Sequence, residues 1–190
     1  MGDAAEDRAQ ASELPEGDVI RILLEQHAQV RDLFAQIKAA PAGGRAELFD
    51  DLRALLAVHE TAEEMVLRPQ ADGDEWKHVA DERNHEEREA NEALKELERL
   101  DPHTEAFLET LTAFEKAVDE HAEAEETQEF PRLLSACDPA ERRKLGDRLR
   151  KVEQMAPTHP HPSAAGSPVA LALTGPFASM VDRVRDAMSR

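Results

Sequence analysis

His59 and Glu63 stand four residues apart in HETAEE (59–64), and His121 and Glu125 repeat the spacing in HAEAEE (121–126). A third pair, His85 and Glu89, lies in HEERE (85–89), and His27 sits alone in LLEQHAQV (23–30). On a helix, a spacing of four puts an imidazole and a carboxylate one turn apart on the same face. Such sets bind cations. Neutral imidazoles and carboxylates, with no thiolate among them, suit iron, manganese or zinc.

Each pair lies on a stripe of apolar residues at helical spacing. Asp18 is a fair N-cap for a first helix to about Ala39, with Leu23, Leu24, His27, Val30, Phe34 and Ile37 on one face. After the breaker PAGG (41–44), a second helix is predicted over about 45–68, carrying Leu48, Leu52, Leu55, His59, Ala62, Glu63 and Val66. A third runs over about 74–99 with Glu82, His85, Glu89, Ala93 and Leu97. A fourth runs over about 104–134 with Phe107, Leu111, Phe114, Val118, His121, Glu125 and Gln128. Pro131 should kink the end of the fourth helix or stop it early. Long helices with short connections imply an all-α, antiparallel up-down four-helix bundle over 18–136. Residues 1–17, acidic and polar, read as a flexible N-terminal arm. Residues 138–190 read as a C-terminal helical extension packing on the bundle. Asp138-Pro139-Ala140-Glu141 opens one helix to about 155. After a Pro-rich connector, Gly175 to Met188 forms a last short helix.

One histidine on an apolar face is usually a core residue bonded to a neighbour. His27, His59, His85 and His121 with Glu63, Glu89 and Glu125 are harder to dismiss together, because Leu and Val flank them along each stripe. Neighbouring buried carboxylates each cost several kcal/mol or take up protons unless a cation compensates, as an order of magnitude. Seven side chains exceed the needs of one four-coordinate zinc and suit two six-coordinate ions sharing carboxylates. Glu63 and Glu125 are the natural bridges. His27 and His59 would hold one ion, and His85, His121 and Glu89 the other. Glu60, beside His59, is the alternative to Glu89.

The order His27, His59-x-x-x-Glu63, His85-x-x-x-Glu89, His121-x-x-x-Glu125 resembles the hemerythrin-like, HHE cation-binding family over 18 to about 134. The resemblance implies two iron ions in an oxo- or hydroxo-bridged, oxygen-reactive di-iron centre, with O2, H2O2 or NO as ligands. Oxygen-carrying members have His-x-x-x-His on the third helix and His-x-x-x-x-Asp on the fourth. This chain has carboxylates at Glu89 and Glu125. Anionic ligands favour ferric over ferrous iron, so the resemblance points to a peroxidase- or catalase-like or nitric oxide-consuming oxidoreductase. A non-enzymatic O2, iron or redox sensor is the alternative. The open position would lie on the two-histidine iron, with Leu23, Leu24, Val30, Leu55 and Val66 keeping water and larger molecules out.

Other features narrow the class. The formal net charge of −18 repels phosphates and anionic headgroups, which argues against nucleic acid and membrane-surface partners. No apolar run is long enough to span a bilayer, and the N-terminus has no signal-peptide core. The single cysteine, Cys137, excludes an intrachain disulfide and fits a cytoplasmic protein. His78, Glu82, His103, His159, His161 and Trp76 read as surface, connector or bundle-end residues. Glu64 and Glu126, each one residue past a bridging candidate, read as solvated.

Overall fold

A computed structural model describes residues 2–67 and 93–155. The expectations for Trp76, His78, Glu82, His85 and Glu89, for the His159–His161 tract and for the final helix lie outside the described residues. So does that for the Glu64 side chain. Among the described residues the chain is helical, with no strand. None of these helices is long and apolar enough to cross a membrane.

Helix α1 spans Ala4–Ser12, α2 Val19–Ala39, α3 Arg45–Val66, α4 Glu105–Ala124, α5 Phe130–Ala136 and α6 Pro139–Met155. Residues 93–97 are also helical. The caps follow the sequence. Asp18 accepts from Ile20 N at 3.1 Å, and Thr104 from Phe107 N at 3.3 Å. Asp138 and Glu141 cap reciprocally: Asp138 Oδ1 accepts from Ala140 N and Glu141 N, and Glu141 Oε2 accepts from Asp138 N.

The core is two apolar clusters. One gathers Val19, Ile20, Leu23, Ala62, Val66, Phe130 and Leu133 with Leu145, Leu149 and Val152 of α6. The other gathers Val30, Phe34, Ile37, Phe49, Leu52, Leu56, Leu94, Leu97, Phe107, Leu111 and Phe114. Phe34, Phe107 and Phe114 are almost fully buried, and each such burial stabilises by about 1.5–3 kcal/mol. Helix α2 runs from the first cluster to the second, whereas α3 and the α4–α5 rod run from the second to the first. Thus α2 is antiparallel to both. His27, His59, Glu63, His121 and Glu125 fall between the clusters along their helices.

Two expectations need correction. Residues 1–17 are not a plain arm, because α1 packs along α2. Asp3 caps it by accepting from Ala5 N at 2.9 Å, and Asp7 and Ala11 are buried. Its anchors are ionic (Asp7 to Arg31, Arg8 to Asp32), so no apolar stripe announced it. The fourth helix breaks ahead of Pro131: α4 ends at Ala124, and Glu125–Glu129 forms one π turn between α4 and α5, in which Phe130 N–H donates to Glu125 O. The widened turn accommodates a residue that lacks an N–H and crowds the preceding carbonyls. It also shifts the buried face by one residue. Gln128, expected on the stripe, is exposed, and Phe130 is buried.

Gly17 has φ of +83°, and it turns the chain from α1 into α2. Gly146 of α6 packs on that turn so closely that a Cβ there would lie 2.1 Å from Gly17 O.

Candidate metal centre

His27 comes from α2, Glu60, His59 and Glu63 from α3, His121 from the end of α4, and Glu125 opens the π turn. His27, His59, Glu63 and Glu125 offer ligand atoms that all lie within 4.8 Å of one another. Glu60, Glu63 and His121 form a second such group, so Glu63 belongs to both. Glu125 also spans the two. Its Oε2 is 3.3 Å from His27 Nε2, and its Oε1 is 3.0 Å from His121 Nε2. His59 Nε2 is 3.6 Å from Glu63 Oε1, and His121 Nε2 is 3.8 Å from Glu60 Oε1. The His27 and His59 rings meet edge-to-face at 4.9 Å, and His27 stacks on Phe130 at 5.7 Å.

The far nitrogens of two histidines are held from behind. His27 Nδ1 lies 2.7 Å from Glu126 Oε1, and that carboxylate also takes Arg31 Nη1 at 3.1 Å. Arg31 in turn pairs with Asp119 at 3.2 Å and with Asp7 of α1. Glu126 is therefore not solvated, as its position after Glu125 suggested; it is paired with two residues of α2. His59 Nδ1 lies 2.8 Å from Gln26 Oε1, and Gln26 Nε2 donates to Glu153 Oε1 of α6 at 2.5 Å. Gln26, Arg31, Asp119, Asp7 and Glu153 had no place in the sequence reading. Their only signal was the presence of polar residues on otherwise apolar helix faces.

The electrostatics of the metal-free cluster are those of a site that wants positive charge. Burial pushes the Glu63 carboxyl well above its ordinary range, and the Glu125 charge adds to this. Burial also acts on Glu125, but His121 and His27 outweigh it and hold its carboxyl well below that range. Burial disfavours a charged His27, yet the adjacent Glu125 and Glu126 carboxylates prevail and raise its pKa. His59, buried and beside His27, is pushed down to about 3. Protons on His27 and Glu63 thus do, without metal, what cations could do.

A cation fits these residues. Both Glu63 oxygens, Glu125 Oε2 and His27 Nε2 are buried and make no hydrogen bond among the described residues. Groups of this kind cost about 1–3 kcal/mol each when left unmade, and more when charged. The donors are the imidazoles and carboxylates that iron, manganese and zinc accept.

A model of the hemerythrin HHE cation-binding domain matches residues 18–133. The chain belongs to the hemerythrin HHE family. It is also similar to an uncharacterised hemerythrin-like protein of Schizosaccharomyces pombe (strain 972), with 28% identity over 138 residues, 71% of this chain and 68% of that protein. No solved structure matches. The HHE match covers α2 through most of α5, and α1 and α6 lie outside it.

A cavity of about 20 Å³, room for about one water, borders the site between α2, α3 and α4. Its walls include His27, His59, Val30, Leu56, Val118 and Ala122. Of the apolar neighbours expected there, Val30 is present. Leu55 lines an outer groove between α2 and α3 instead, and Leu56 takes its place.

Proposed function

We propose that this chain is a non-haem di-iron protein that reacts with small oxidants (H2O2, NO or O2) beside His27 and His59. The observation that carries this reading is the sharing of Glu63 and Glu125. Glu63 belongs to both ligand groups, and among the described residues its two buried oxygens make no hydrogen bond. Glu125 presents one oxygen to His27 and the other to His121. Two carboxylates that each face two sides are what a two-ion site requires.

His27 and His59 would hold one ion and His121 the other, with Glu63 and Glu125 bridging. Glu60 supplies a terminal carboxylate on the His121 side, supported by its place beside Glu63 and His121. On sequence grounds His85 would join His121, with Glu89 the alternative to Glu60 as the terminal carboxylate. Bound iron would supply one-electron redox chemistry and a position for a diatomic molecule or peroxide. The chain supplies the rest. Glu126 and Gln26 hold the two histidine rings, and the small cavity limits what can approach. Val30, Leu56, Val118 and Ala122 keep it apolar. Carboxylate-rich ligation favours ferric iron and so supports redox turnover over reversible carriage. The lone Cys137 supports a cytoplasmic setting.

The test is iron content and absorption spectrum of the wild type, His59→Ala and Glu125→Ala. Two irons per chain, with charge-transfer bands lost in both variants, is the expected result. One zinc indifferent to both substitutions would sink the reading. A second reading, a sensor, draws support from α1 and α6, whose Asp7 and Glu153 reach the two histidines through intermediates. An enzyme consumes excess peroxide or nitric oxide repeatedly, whereas a sensor binds it once.

A further inference from the structure

We propose that Glu153 of α6 is a positioning residue for His59, acting through the Gln26 amide to fix which ring nitrogen faces the cluster. This rests on the reading of His59 as a metal ligand.

A primary amide can point either way, since its oxygen accepts and its nitrogen donates. Gln26 is 5% exposed and sits between the His59 ring and Glu153. An ionised carboxylate only accepts. Glu153 Oε1, at 2.5 Å, therefore takes the amide nitrogen and leaves the amide oxygen to His59. That oxygen, 2.8 Å from Nδ1, can only accept as well. The proton must then sit on His59 Nδ1, and the Nε2 lone pair is left facing Glu63. One carboxylate on α6 thus sets the amide, and the amide sets the tautomer.

His27 needs no such instruction, because its Nδ1 meets the Glu126 carboxylate directly. His59 depends on a residue outside the HHE match, which ends at residue 133. In this chain α6 is part of the metal site as well as a packing element. Outer partners of ligating histidines typically change metal affinity by about 10–100-fold.

The experiment uses the full-length chain. With the protein metal-free, 15N shifts of the His59 ring report the tautomer directly. The Nδ1–H form is expected in the wild type; the Nε2–H form there would overturn the proposal without any variant. Glu153→Gln should mix the tautomers and weaken Co2+ binding, measured by chelator competition, by about 10-fold. The double variant Gln26→Glu/Glu153→Gln keeps the polarity, because a carboxylate at position 26 accepts from His59 and from the new amide. It should restore Nδ1–H and bring affinity back towards the wild-type value. Unchanged tautomer and affinity in Glu153→Gln, or no recovery in the double variant, would overturn the proposal. If the wild type binds no Co2+, the metal reading fails, and the ring shifts still decide this one.

Discussion

Glu126 faces His27 across the α2–π-turn boundary, with its Oε1 2.7 Å from His27 Nδ1. Two successive carboxylates, Glu125 and Glu126, thus meet opposite nitrogens of one imidazole. Glu126→Leu removes the acceptor and leaves Nδ1 without its partner. Metal affinity should fall by about 10–100-fold. Chelator competition measures it, and Glu126→Gln, which keeps an oxygen for Nδ1, should recover part of the loss.

Glu63 carries a cost that bound metal would relieve. Replacing a buried, poorly satisfied acid with an apolar residue of similar volume is commonly neutral or stabilising. Glu63→Met should raise metal-free stability by about 1–3 kcal/mol and abolish metal loading. Urea unfolding in chelator, set beside metal content, tests both halves. A less stable variant would show that Glu63 is better satisfied than its surroundings indicate.

Acid should weaken the metal-free chain through His59. An unfolded His59 takes its proton near 6.5, and the folded one only near about 3. Between those values the unfolded chain holds the extra proton, so stability falls as pH drops. Glu63 and His27 act the other way. Their folded values are raised, so their contribution is present at low pH and is lost as pH rises through those values. Comparing the wild type with His59→Leu isolates the first effect. The wild type should lose up to about 1.4 kcal/mol more per pH unit within the window. Parallel melting curves between pH 6 and 4 would contradict it.

Arg31 is the only cation whose contacts join Asp7, Asp119 and Glu126 among the described residues. Arg31→Met removes the cation that faces three acidic groups in a largely buried setting, of which Glu126 keeps its contact with His27. A loss of about 3–5 kcal/mol is expected, as for breaking a buried ion pair. Guanidinium unfolding reads it.

Gly146→Ala tests the seat of α6. The added Cβ would meet Gly17 O at 2.1 Å, and that oxygen belongs to a turn held at positive φ. Backbone there cannot step aside as a side chain would. The variant should lose about 1–3 kcal/mol, as overpacked sites do.

Much of this arrangement was legible in the sequence. The apolar periodicity of 19–39 and 45–66 and the caps at Asp18 and Asp138 led to the helices found. The spacing of His59 with Glu63 and of His121 with Glu125 led to the cluster. What stayed hidden was hidden for physical reasons. Helix α1 is fastened by Asp7 and Arg31, and ionic anchors leave no hydrophobic period. Glu126 looked solvated because an α-helical count turns it away from Glu125, and its partners His27 and Arg31 lie on another helix about a hundred residues earlier. Glu153 lies 127 residues from Gln26, and no local pattern joins two polar residues that far apart.

The π turn has a further consequence for how this chain tolerates loss of sequence. Between Glu125 and Phe130 the buried positions are five residues apart, one more than an α-helical turn allows. Deleting the exposed Gln128 would place Phe130 four positions after Glu125, one α-helical turn on the same face, so Phe130 and Leu133 would stay towards the core they share with α2 and α6 while the π turn is lost. A one-residue deletion inside a helix ordinarily rotates everything beyond it, and the π turn makes this stretch one where the buried face would keep its register.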